Sequence, residues 1–186
     1  EFQSTADSEK SGIAMIFQEI SMHLNLTVGE NLMLGAWPLK KGPFIDKKKM
    51  YKKAKEALKT IHMEADVYAP LRTLNTSQMQ LICIARALAK HPSILVLDEP
   101  TSSLTETESA HLFQILHELK RKGITCILIS HKLEEVFENS DRVTVLRDGK
   151  VISTYGIQDV ERGTIIKDMV GRSMDQMYPH RNHCPG

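Results

Sequence analysis

Three short apolar runs punctuate the chain: Ile13 to Phe17, Ile94 to Leu97 and Ile124 to Ile129. Each is brief and nearly unbroken, as a strand buried on both faces would be. Between the first two, Thr27 and Glu30 form a T-x-x-E capping box that starts a short helix near Val28. Gly35, Pro38, Gly42 and Pro43 break the chain after it, and Asp46 can cap a longer helix reaching about His62. In that helix Met50, Ala54, Ala57, Leu58 and Ile61 share one face, while Lys47, Lys48, Lys52, Lys53 and Lys59 lie largely elsewhere. Another helix follows Gln78 and runs to about Lys90. Thr105 and Glu108 repeat the capping box for a helix ending near Gly123, with a buried stripe of Leu112, Ile115, Leu116 and Leu119. The rest reads as a helix from Lys132 to Asn139, a hairpin turning at Asp148–Gly149 between Val143–Arg147 and Val151–Tyr155, and a last helix from about Ile157 to Val170. Residues 1–12 are polar and carry little pattern, like the tail of a preceding loop or helix. Strands alternating with helices predict an α/β fold.

Composition narrows the class. The 186 residues, 41% hydrophobic and 25% charged, are enough for one ordinary domain with a sizeable core. A net charge of +1 gives no argument for nucleic acid or a membrane surface. The lysine run reads as a solvated helix face, because no aromatic platform is interleaved with it. Cys83 and Cys126 sit in apolar runs and read as buried reduced thiols. His180 to Gly186 fits no strong zinc spacing and reads as a disordered tail. Neither a signal peptide nor a membrane-spanning run is evident, so a cytoplasmic location is expected.

The candidate chemistry lies in ILVLDEPTSSL, residues 94–104. Asp98 and Glu99 end a buried strand, where open α/β sheets place their ligand crevice. Adjacent acids there are costly to desolvate without a cation or a proton-transfer task. Asp98 suits Mg²⁺ and Glu99 suits polarising a water molecule, while Pro100 forces the chain out of the strand. A strand end with solvated acids is the commoner reading of such a stretch taken alone. Its neighbours shift the balance: LNTSQMQLICIARAL precedes it, and a strand delivering Ser130 and His131 follows.

Gln18, LNTSQ, ILVLDEPTSSLT and ILISHKLEEVF, in that order, resemble the ATP-binding subunit of an ATP-binding-cassette (ABC) transporter. More narrowly, SGIAMIFQEI, TVGENLMLG, ISHKLEEVFENSDRVTVLRDGK and VGRSMDQMYP resemble the first cassette of bacterial ribose, galactose and xylose importers, from about Asp7 to Pro179. The resemblance implies a partial P-loop NTPase-like (RecA-like) cassette with an α-helical insertion subdomain. Residues 1–20 would end its N-terminal part, 21–90 form the helical subdomain with the signature motif, 91–171 complete the core, and 172–186 be a connector or disordered tail. It also implies ATP and Mg²⁺ as ligands. Asp98 would hold the metal, Glu99 act as general base, His131 sense the γ-phosphate, and Gln18 reach metal and attacking water while coupling them to the permease. Leu74 to Gln78 align with the signature LSGGQ, so Asn75, Thr76, Ser77 and Gln78 would face the nucleotide of an opposing cassette. Asn75 replaces the serine, and Ser77 puts a Cβ where the family's second glycine has none. Implied partners are a second cassette, a membrane permease meeting the insertion between Gln18 and Leu74, and indirectly a sugar-binding protein, with no nucleic acid. The protein would be cytoplasmic and peripheral on the inner face of the membrane through the permease.

No G-x-x-x-x-G-K-[ST] phosphate loop occurs in these residues; the one Gly-Lys pair, Gly149–Lys150, lies in the hairpin turn. By resemblance the match starts at about the second third of a cassette, so an uncovered sheet edge or apolar patch is expected. Without a loop the chain alone is expected not to hydrolyse ATP. Two readings remain open: a fragment of the energy-coupling subunit of a sugar importer, and a catalytically incompetent cassette acting as an interaction or regulatory module. A soluble cassette ATPase of DNA repair or translation is disfavoured by the lack of a basic face.

Overall fold

The computed structural model describes residues 2–18, 22–40 and 42–171. The connector and tail beyond Gly171, with Cys184, lie outside the described residues. The chain divides into two compact units, Glu1–His131 and Lys132–Gly186.

In the first unit a parallel sheet of three strands carries the core, in the order β1 (Ile13–Ile16), β2 (Ile94–Asp98), β3 (Thr125–Ile129). Its register aligns Ile16 with Leu97 and Leu97 with Leu128, so all three strands end at one edge. Ala14, Ile16, Leu95 and Leu97 face inward and are buried. Full burial of one such leucine stabilises by about 1.5–3 kcal/mol. On the opposite face Met15, Ile127 and Ile129 are exposed, and so is Phe17 just past β1. Among the described residues, both β1 and β3 are sheet edges.

Helices fill the gaps between strands. Before β1, α1 (Thr5–Lys10) is capped by the Ser4 hydroxyl and buries none of its residues. A helix without a buried face leaves no apolar period, which is why residues 1–12 show little pattern in the sequence. Between β1 and β2 come α2 (Val28–Leu32), α3 (Lys47–Thr60), a 3₁₀ turn at Leu71–Thr73, and α4 (Thr76–Leu88). The Thr27–Glu30 capping box is present in both directions. Gly29 is required where α2 meets α3: a Cβ there would stand 2.6 Å from the Tyr51 ring. Met50, Ala54 and Leu58 bury the apolar face of α3, and its lysines are exposed. From β2 the chain crosses to β3 through α5 (Glu106–Arg121), which buries Leu112, Ile115, Leu116 and Leu119. Cys83 is buried and Cys126 half-buried, both free; burial pushes both thiols up, which makes them poor nucleophiles.

The second unit starts with α6 (Leu133–Asn139) and continues as an antiparallel hairpin of β4 (Arg142–Arg147) and β5 (Lys150–Gly156). Asp148 and Gly149 turn it with φ of 52° and 72°, the left-handed pair a two-residue hairpin turn demands. The last helix is shorter than the sequence suggests. Ile157–Asp159 forms a 3₁₀ turn, Val160 is extended, and α7 spans only Arg162–Val170. The Asp168 carboxylate accepts from Ser153 Oγ at 2.6 Å and Tyr155 Oη at 3.0 Å, tying α7 to β5.

Candidate functional site

Strand register decides what meets at the carboxyl edge. Ile16 lies opposite Leu97, so Gln18, two residues on, arrives opposite Glu99. Asp98 lies opposite Ile129, and the Glu99 amide donates to the Ile129 carbonyl at 2.9 Å, which brings His131 alongside. Glu99 is the meeting point: Gln18 Nε2 donates to its Oε2 at 3.2 Å, and His131 Nδ1 lies 2.9 Å from its Oε1. Two residues from distant parts of the sequence thus share the carboxylate of a third. Glu99 holds φ at 43°, a left-handed conformation that carries strain for a non-glycine residue. The cluster opens to solvent, the His131 side chain being 66% exposed and that of Glu99 28%.

Asp98 ends β2 and is half-buried. Among the described residues no group of three or more His, Cys, Asp and Glu side chains gathers to hold a metal. A site with one or two protein carboxylates still fits Mg²⁺, which takes most of its remaining ligands from water and substrate phosphates. The oxygen donors suit such a hard cation: the Asp98 carboxylate and, with Nε2 committed to Glu99, the amide oxygen of Gln18.

Asn75, Thr76, Ser77 and Gln78 gather separately at the start of α4. Asn75 is the N-cap: its Oδ1 accepts from the Gln78 amide at 2.8 Å, and Gln78 Oε1 accepts from the Asn75 amide at 3.0 Å. That reciprocity leaves Asn75 Nδ2 as the donor toward a ligand. Ser77 Oγ lies 2.9 Å from Asn75 Oδ1 and also within hydrogen-bond reach of Glu108 on α5, though its single proton serves one acceptor at a time. Bonds from Ser77 and then from Thr105 hold the Glu108 carboxyl below its usual range. The sequence marks Glu108 only as a helix cap; its contact with Ser77 joins the starts of α5 and α4, which no local pattern records.

A second residue escaped the sequence reading. Asn31, fully buried in α2, accepts from the His23 amide at 3.0 Å and donates to the carbonyls of His23 at 2.9 Å and Thr27 at 3.0 Å. It fixes the described part of the segment between Gln18 and α2. Beyond α2, a cleft of about 440 Å³ opens between α3 and α4, lined by Met33, Ala36, Ala57, Leu88, Pro92 and Ile124 and flanked by Lys53 and Glu56.

A model described as ABC transporter matches residues 1–102. The chain belongs to the ABC transporter family. It is 47% identical over 186 residues to the xylose import ATP-binding protein XylG of Thermoanaerobacter pseudethanolicus, covering all of this chain and 37% of that protein. It is 43% identical over 185 residues to the galactose/methyl galactoside import ATP-binding protein MglA of Clostridium perfringens, of which it covers 36%. The chain therefore spans a little over a third of these ABC proteins. Among solved structures it resembles a nucleotide-free ATP-binding cassette from an ABC transporter, with TM-score 0.73 and 26% identity over 91% of this chain and 69% of that one. The ADP conformation of MJ1267, another ABC cassette, gives TM-score 0.74 and 26% identity, over 91% of this chain and 72% of that one. The α/β fold is thus that of an ABC cassette of the P-loop NTPase class, as the motif order implied. Among the described residues no helix is long and apolar enough to cross a membrane.

Proposed function

We propose that this chain is part of the ATP-binding, energy-coupling subunit of a sugar importer, and that it supplies the hydrolytic edge and the signature turn of the cassette. The meeting of Gln18 and His131 on Glu99, at the common end of three parallel strands, carries this reading. Bound Mg²⁺ would supply charge neutralisation at the phosphates, and Asp98 with Gln18 would be its protein ligands. Glu99 is the proton acceptor for the attacking water, its carboxylate oriented from both sides. His131, its Nδ1 on Glu99, presents the other ring nitrogen to the γ-phosphate. Asn75, Thr76, Ser77 and Gln78 address the nucleotide of a second cassette, through amides at a helix N-terminus. The cleft between α3 and α4 receives a short helix of the permease. The strong phosphate cradle of a P-loop has no counterpart in these 186 residues, so the phosphates are held mainly by other residues of the assembled site.

Calorimetric titration of Mg-ATP tests this division of labour, using the Glu99→Gln chain alone and then mixed with an intact cassette. The expected result is no heat from the chain alone, and binding in the mixture tighter than that of the intact cassette by itself. Micromolar binding to the chain alone would contradict it, and so would a mixture no tighter than its intact component.

A further inference from the structure

We propose that Trp37, Leu39, Lys40 and Phe44, together with the lysines of α3, bind directly to the surface of a bilayer containing anionic lipid. The described residues on either side of position 41 are paired: Lys40 N–H donates to the Phe44 carbonyl at 2.8 Å, Asp46 N–H to the Pro38 carbonyl at 2.7 Å, and Leu39 bridges to Ile45. Ile45 packs against the core, yet three other large apolar residues are held out in solvent. Phe44 is 71% exposed, Leu39 60% and Trp37 37%. Aromatic and aliphatic side chains held out beside basic ones are the equipment of interfacial membrane binding.

The basic half adjoins directly. Helix α3 carries seven lysines and a single acid, Glu56, and Lys40 sits in the loop itself. Lys48, Lys52 and Lys59 recur at helical spacing on one exposed stripe. Lys47, Lys48 and Lys49 occupy the first turn, where the helix dipole disfavours cations, with only the N-cap carboxylate of Asp46, 3.0 Å from the Lys49 amide, beside them. By contrast, α5 places Glu106 and Glu108 in its first turn and Lys120 and Arg121 in its last. The helix dipole therefore does not account for three lysines in the first turn of α3, whereas an external anionic surface would. The overall charge of +1 hides this local concentration.

A single-stranded nucleic acid is the competing partner, since exposed aromatics also stack on bases. The side chains favour lipid. All the basic residues from Trp37 to Thr60 are lysines, point charges without the planar fork of arginine. Leu39 has no π-face, and Trp37 Nε1 is directed to the Glu30 carbonyl at 3.4 Å. The proposal goes beyond the transporter reading, because it needs neither nucleotide nor permease.

Trp37 is the sole tryptophan of the chain and serves as the probe. The full chain is mixed with vesicles of equal parts phosphatidylcholine and phosphatidylglycerol, and with phosphatidylcholine vesicles alone. Co-sedimentation and a blue shift of Trp37 emission are expected only with the anionic vesicles. Both should vanish at about 1 M salt, where the screening length is about 3 Å. Lys48→Ala with Lys49→Ala should weaken binding roughly 25-fold, about fivefold for each lysine. Leu39→Ser with Phe44→Ser should remove the blue shift, with far-UV circular dichroism unchanged because both side chains are exposed. Failure to sediment with the anionic vesicles, equal binding to neutral ones, or indifference to the lysine changes would overturn the proposal. Tighter binding to polyuridylate than to the anionic vesicles at the same salt would overturn it in favour of RNA.

Discussion

Asn31→Ala is the sharpest test of how the segment after Gln18 is held. The side chain makes three well-formed bonds, with the His23 amide, the His23 carbonyl and the Thr27 carbonyl, and a longer one at 3.4 Å to the Leu26 carbonyl. At about 1 kcal/mol net for each good bond, the loss comes to about 3 kcal/mol. His23 lies at the surface, where water can take up part of its pairing, which lowers the expectation to about 2 kcal/mol. With a urea dependence of about 2 kcal/mol/M, the unfolding midpoint should fall by about 1 M. Trp37 fluorescence is the natural readout, since its indole N–H donates to Glu30, the residue preceding Asn31. Asn31→Asp sharpens the test. It keeps an acceptor for the His23 amide but sets a carboxylate against the carbonyls of His23 and Thr27. It should therefore destabilise at least as much as alanine. A midpoint change below about 0.3 M for both variants would refute the view that Asn31 fixes this segment.

Two further outcomes follow from the charged groups. Hydrogen bonds from Ser153 and then Tyr155 hold the Asp168 carboxyl below its ordinary 3.8, so the ionised form is favoured on folding. The stability they supply is complete above the unfolded value and is lost as pH falls through the lowered folded value; Asp168→Asn should flatten the acid limb of the urea midpoint measured from neutral pH to below about pH 4. Ser77 is the first cause of the lowered Glu108 pKa, so Ser77→Ala should raise it toward 4.5 in a carboxyl-resolved NMR titration, and an unmoved Glu108 would refute the Ser77 contact.

Features written in local pattern were legible in the sequence. The T-x-x-E spacing at Thr27 and Thr105 marks helix starts through bonds between residues three apart, and both boxes are present. The three apolar runs gave β1, β2 and β3, and the position of Asp98–Glu99 at a strand end followed from the run that precedes it. The convergence of Gln18, Glu99 and His131 is different in kind. It depends on β2 standing between β1 and β3, an order that no periodicity in a single strand names; only the resemblance carried by the ordered motifs implied a shared site. The residues that escaped notice are those whose partners are set by packing. Asn31 looks like an ordinary polar residue of a short helix, yet its bonds reach back to a segment without secondary structure of its own. Trp37, Leu39 and Phe44 look like filler among the breakers Gly35, Pro38, Gly42 and Pro43, and only their exposure reveals that they are held outward beside a basic helix. Apolar period reports what a helix or strand buries against its own domain. A surface meant for something else breaks that period, and it is read instead from exposure that folding had the means to prevent.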